Sequence, residues 1–175
     1  MDRKLLNSEL GRISPQEYGL GKKSGMVLVL DNVRSAHNVG SAFRTADAFK
    51  VDRICLCGIC ATPPSAELHK TALGAEQSVP WEHFSDTMEA VALLRDEGFV
   101  IIAVEQTENS LSLEKFHPEE GKRYAFVFGN EVEGVQQSVV DAADFSLEIP
   151  QWGTKHSLNV SVSVGVVLWQ TRIPE

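Results

Sequence analysis

Apolar runs of five to seven residues recur along this chain with helix-period segments between them, and that alternation leaves few architectures open. The runs are MVLVLD (26–31), RICLC (53–57), VPWEHF (79–84), FVIIAVE (99–105), YAFVFG (124–129) and FSLEIP (145–150). Each reads as a strand. Between them, VGSAFRTADAF (39–49) places Val39, Ala42, Phe43, Ala46 and Phe49 on one helical face. SDTMEAVALLRDEG (85–98) offers Ser85 as N-cap, Met88, Val91, Ala92 and Leu94 as its buried side, and Gly98 as its stop. VQQSVVDAA (135–143) is a shorter amphipathic candidate. Strands alternating with helices predict an α/β fold: a mostly parallel, six-stranded sheet with helices on both faces. Residues 1–25 are expected to form a short basic lead-in, helical at 2–11, and residues 26–175 a single domain.

In such sheets ligands collect beyond the C-terminal ends of the strands. The segments there are DNVRSAHNVGS, GICATPP, EQTENS, GNEVEGV and QWGTKHSLN. Three are rich in Gly, Asn and Ser, which expose backbone donors and tolerate unusual turns. GLGKKSG (19–25) is not a phosphate loop: Gln16 and Lys23 stand where GxxxxGK[ST] needs glycine and a hydroxyl. It also precedes the first strand, so it does not support a Rossmann dehydrogenase or a nucleotide triphosphatase.

The net charge of −8 argues against polyanion binding by the whole surface. It is unevenly spread, +2 over residues 1–23 and −10 over the rest. Cys55, Cys57 and Cys60 suggest neither a disulfide framework nor a metal site, because no fourth ligand or second well-spaced pair accompanies them. The N-terminus lacks the apolar core of a signal peptide and no run is long enough for a membrane span, so a cytoplasmic protein is expected, with no metal and no membrane partner.

Three separated segments, NVRSAHNVGSAFRTADAF (32–49), FVFGNEVEGV (126–135) and IPQWGTKHSLNVSVSVGVVLWQ (149–170), resemble in order and spacing the motifs of the TrmH-like RNA ribose 2′-O-methyltransferases of the SPOUT superfamily. The resemblance spans about residues 26–171, and KTALGAEQSVPW (70–81) is similar to the family's connecting region. It implies a C-terminal deep trefoil knot, which no pattern argument reaches because knots are so rare. It also implies bound S-adenosylmethionine, a homodimer, and a tRNA or rRNA substrate methylated on a ribose 2′-hydroxyl.

The donor would lie against Val104, Glu105, Gly129, Gly134, Ile149 and Leu158, held mostly by backbone groups. Of the catalytic set, Arg44 would clamp the phosphate beside the target ribose, since a guanidinium is a poor proton acceptor. Asn38 would begin and cap the helix carrying Arg44, and Glu131 would position Arg44 or Asn159. Ser157 and Asn159 would bring hydroxyl and amide groups beside the methyl, or cap the last helix. Arg34 and Lys155 would touch the RNA backbone. His37 and His156 receive no catalytic role. Few residues flank the matched region, so RNA selection is expected from the lead-in, the dimer surface, the loops or another protein.

Periodicity and resemblance disagree at HSLNVSVSVGVVLWQ (156–170). Residues 159–166 alternate polar and apolar as a half-buried strand would. The resemblance implies loop then helix, with Ser161 and Gly165 in a close-packing stripe beside Leu158, Val162 and Trp169. Two other readings compete: a knotted RNA-binding or assembly factor without catalysis, and a flavodoxin-like nucleotide module. The presence of Arg44, Glu131, Ser157 and Asn159 together favours the enzyme.

Overall fold

In the computed structural model, residues 2–172 are described, and they form seven parallel strands rather than six. The strands are β1 (Met26–Asp31), β2 (Arg53–Cys57), β3 (Trp81–Phe84), β4 (Phe99–Val104), β5 (Leu111–Ser112), β6 (Arg123–Phe128) and β7 (Phe145–Glu148). The sheet order is β3-β2-β1-β6-β4-β7-β5, with every paired strand parallel. The additional strand, β5, is two residues long and pairs through Leu111 and Ser112 with the edge of β7. Its brevity is why no apolar run announced it.

The helices are α1 (Pro15–Leu20), α2 (Ala36–Ala48), α3 (Ala66–Ala72), α4 (Thr87–Asp96), α5 (Gln137–Ala142) and α6 (Val160–Thr171). β1 is buried along its whole length because its side chains alternate between two cores. Leu28 and Leu30 face α2, α3 and α6 through Phe43, Leu68 and Val167. Val27 and Val29 face α4 and α5 through Val91, Leu94 and Val139.

Several local expectations shift. Asp86 caps α4 through the backbone N–H of Met88, so Ser85 lies one residue outside. Ala90, not Ala92, joins Val91 and Leu94 on its buried side. Within residues 2–11, helix is confined to a 3₁₀ turn at Asn7–Glu9. The expected strand at 159–166 is helix: α6 runs from Val160 to Thr171 and buries Val164, Val167 and Leu168 against the sheet. Burial on that scale outweighs the modest helix penalty of valine. Gly165 is no point of close packing, since a Cβ there would meet only Thr45 Cγ2 at 3.9 Å. The three cysteines are buried and free, and burial pushes the Cys55 and Cys60 thiols up to about 11. Among the described residues, no helix is long and apolar enough to cross a membrane.

Candidate active site

The C-terminal ends of β4, β6 and β7 open into a cavity of about 710 Å³. Its lining comes from 104–107, from 128–135, and from 147–149, 151 and 156–160, with Gln137, Val140 and Ser163 adding to the wall. All six residues expected to hold the donor, Val104, Glu105, Gly129, Gly134, Ile149 and Leu158, lie on its wall. So do Glu131, Ser157 and Asn159. Asn38 reaches the cavity through its hydrogen bonds to Glu131 and Asn159, and Arg44, Arg34 and Lys155 stand outside its lining.

The middle segment is shaped by its glycines. Asn130 and Gly134 exchange two backbone hydrogen bonds of 3.0 Å, folding the loop sharply back on itself. Gly134 carries a φ of +71°, a conformation glycine adopts without steric cost. Gly129 lies so close to this turn that a Cβ there would stand 2.0 Å from the carbonyl carbon of Gly134. Asn130 holds the turn from inside. Its side-chain oxygen accepts from the Val132 and Glu133 N–H groups, and its amide donates to the Asn32 carbonyl at 2.8 Å. Glu105 closes the far end, accepting from the Val135 N–H at 3.0 Å and the Gln106 N–H at 2.8 Å. Gln106 then donates to the His156 carbonyl at 2.7 Å, joining the first segment to the third.

Glu131 does not contact Arg44. Its carboxylate accepts from the backbone N–H groups of Arg34 (3.0 Å) and Ser35 (3.1 Å) and from the Asn38 amide (3.1 Å). The Asn38 side-chain oxygen in turn accepts from the Asn159 amide at 3.2 Å. Asn159 caps α6, accepting from the Ser161 N–H at 2.9 Å and its hydroxyl at 2.6 Å. Glu131 therefore positions Asn159 only at one remove, through Asn38. Nor does Asn38 cap α2. Ser35 does, accepting the Asn38 N–H at 3.2 Å, which places Asn38 in the first turn with its side chain free for this relay. Arg44 is exposed on α2, two turns further on, and among the described residues its guanidinium makes no hydrogen bond or ion pair.

Burial would raise the Glu131 carboxyl, but the donors from Arg34, Asn38 and Ser35 outweigh it and hold the group below its ordinary value. A carboxyl depressed in the folded state contributes stability that is complete above its unfolded value and lost as pH falls through the folded one. The difference in thermal midpoint between the wild type and Glu131→Gln, present at neutral pH, is expected to close as the pH drops below the carboxylate range. Calorimetry from pH 7 to pH 3 checks it, and a gap that stays constant with pH would show that the ionised carboxylate is not what holds the relay.

The lining fits a cationic ligand with hydrogen-bonding groups. It presents Glu105, Glu131, Glu133 and Glu148, contains no Lys or Arg, and offers backbone groups at the glycine turn. Among the described residues, no group of three His, Cys, Asp or Glu side chains is placed to hold a metal. Glu133 and Gln151 lie within the segments GNEVEGV and QWGTKHSLN without having been singled out, and Glu148 was missed; the signal that would have found it is position alone, at the end of β7.

Residues 25–169 match the SpoU rRNA Methylase family. The chain is 32% identical over 147 residues to the 23S rRNA (guanosine-2′-O-)-methyltransferase RlmB of Neisseria meningitidis serogroup B, covering 84% of this chain and 58% of that one. Against the RlmB of Nitrosomonas europaea the identity is 34%, over 83% of this chain and 55% of the relative. Among solved structures, an AdoMet-bound rRNA methyltransferase from Sinorhizobium meliloti superimposes with a TM-score of 0.78 at 26% identity, over 85% of this chain and 56% of that one. The A. aeolicus TrmH/SpoU tRNA modifying enzyme gives 0.75 at 26%, covering 85% and 74%. The chain thus spans little more than half the length of the two curated relatives.

Proposed function

Because the chain belongs to the SpoU rRNA Methylase family, we propose that it transfers a methyl group from S-adenosylmethionine to a ribose 2′-hydroxyl of tRNA or rRNA. One observation carries the reading: two of the three family-like segments, 126–135 and 149–170, meet the end of β4 on one acidic cavity at the strand ends, and Asn38 of the remaining segment is hydrogen-bonded to Glu131 and Asn159 on its wall. The bound donor supplies a methyl already activated by its sulfonium. The protein's task is then to hold and align. The turn at Gly129–Gly134 and the backbone around Ile149 and Leu158 grip the donor, Ser157 and Asn159 face the methyl, and the Glu131–Asn38–Asn159 relay fixes the helix ends between which the ribose enters. Arg44 clamps the neighbouring phosphate, and Arg34 and Lys155, both exposed, meet the RNA backbone.

The finer architecture follows the same resemblance. Residues 26–175 form the methyltransferase domain, with its C-terminal part threaded as a trefoil knot, and residues 1–25 form a lead-in that helps choose the RNA. The match of residues 25–169 to the family model supports the knot. Work on cellular RNA and three unpaired cysteines suit the cytoplasm. A homodimer would use α6. This helix is apolar nearly all round, burying Val164, Val167 and Leu168 while leaving Val162 50% and Trp169 59% exposed, with Trp152 86% exposed nearby. An apolar helix of this kind calls for cover on its outer face. Val162→Glu is expected to convert a dimer to monomers in sedimentation velocity, and a wild type already monomeric at micromolar concentration would refute this interface.

Calorimetric titration with S-adenosylhomocysteine, followed by incubation with labelled donor and unmodified total RNA, tests the function. Binding with label transfer to RNA is expected. No binding refutes the methyltransferase reading, and binding without transfer to any RNA would favour a knotted RNA-binding factor.

A further inference from the structure

The run MVLVLD ends in a carboxylate, and Asp31 is fully buried although, among the described residues, it forms no ion pair. A charge in such a place is costly unless donors replace its water. Four do. Oδ1 accepts from the Thr87 hydroxyl at 2.6 Å, the Gln136 side-chain amide at 2.6 Å and the Asn32 amide at 3.0 Å. Oδ2 accepts from the Gln136 backbone N–H at 2.8 Å. None of these residues lines the cavity. Gln136 nevertheless follows Gly134 and Val135, which do, and the next residue of β1's exit, Asn32, receives the Asn130 amide through its carbonyl. The terminus of β1 therefore grips the glycine turn near both of its ends, across more than 95 residues of sequence.

We propose that Asp31 is a positioning residue for methyl-donor binding: by holding Gln136 through two hydrogen bonds, it fixes the Gly129–Val135 turn in the shape that receives the donor. The inference rests on the function proposed above. It also distinguishes the two sides of the carboxylate. Gln136 ties it to the donor loop, whereas Thr87 ties it to the first turn of α4, which does not line the cavity. If the carboxylate served only stability, removing either donor to the same oxygen would act alike. If it sets the loop, only the Gln136 side should reach the donor.

The test compares Gln136→Leu with Thr87→Val, each deleting one donor to Oδ1, and so avoids emptying the buried site itself. Thermal midpoints should fall in both. Affinity for S-adenosylhomocysteine is expected to fall about tenfold in Gln136→Leu, the scale of a hydrogen bond to a charged group, and to stay within twofold in Thr87→Val. In turnover, the Gln136→Leu loss should appear in the KM for the donor, with kcat at saturation within about threefold. Equal effects of the two variants on affinity, or none from either, would overturn the inference. Failure of the wild type to bind would instead overturn the function on which it rests.

Discussion

Arg44→Ala is expected to reduce methyl transfer by about 10²-fold or more while leaving affinity for S-adenosylhomocysteine within a few-fold. Both halves of this expectation come from where the residue stands. Its guanidinium is exposed on α2, outside the cavity wall, so its loss removes nothing from the donor's surroundings. Among the described residues it makes no hydrogen bond or ion pair, so removing it breaks no internal network. A guanidinium kept free at such a site suits bidentate capture of a phosphate, and that contact orients the ribose only when RNA is present. Single-turnover transfer from labelled donor measures the first half and calorimetry the second. Arg44→Lys, which keeps the charge but not the fork, should fall between the two proteins. A drop in donor affinity beyond about tenfold would place Arg44 on the donor side instead.

Gly129→Ala should act on the opposite half of the site. The added methyl would lie 2.0 Å from the Gly134 carbonyl carbon and 2.1 Å from the Val135 nitrogen, both backbone atoms. Relief requires opening the Asn130–Gly134 pair, and the next residue, Val135, is held by the Glu105 carboxylate, which accepts its N–H at 3.0 Å. Overpacking of this kind costs about 1–3 kcal/mol, which as lost donor affinity is about 5- to 150-fold. Gly153→Ala is the matched control, because a Cβ at Gly153 meets nothing within 4 Å although it too lies on a segment bordering the cavity. Calorimetry well below the thermal midpoint should show Gly129→Ala weakened and Gly153→Ala unchanged. Equal affinity in the two variants would mean that the turn does not grip the donor.

Much of the fold was legible because both of its periods are strong. β1 and β2 match their apolar runs residue for residue, since buried parallel strands admit little else. β5 escaped notice because a two-residue pairing has no period to detect. α3 was not anticipated either: AELHKTA is short and mostly polar, and Leu68 and Ala72 are its only fully buried side chains. At α6 the chain's own pattern misled. Ser161 and Ser163 alternate with valines, yet tertiary contact rather than local preference sets that segment's shape. The convergence of the donor residues was readable from motif order. The wiring of Glu131 was not, because a carboxylate's partners across 93 residues leave no trace in spacing. Asp31 left a fainter sign, a charge closing an otherwise apolar strand.

The relay from Glu131 through Asn38 to Asn159 also bears on when the site comes into being. Its two side-chain links span 93 and 121 positions, and the second requires the start of α6 to be in place. Loops of that length close late, after the local helices and neighbouring strands have already formed. A ribosome-bound chain lacking α6 could assemble most of the sheet and still hold no finished pocket. Competence to bind the methyl donor would therefore arrive abruptly, once α6 has left the exit tunnel.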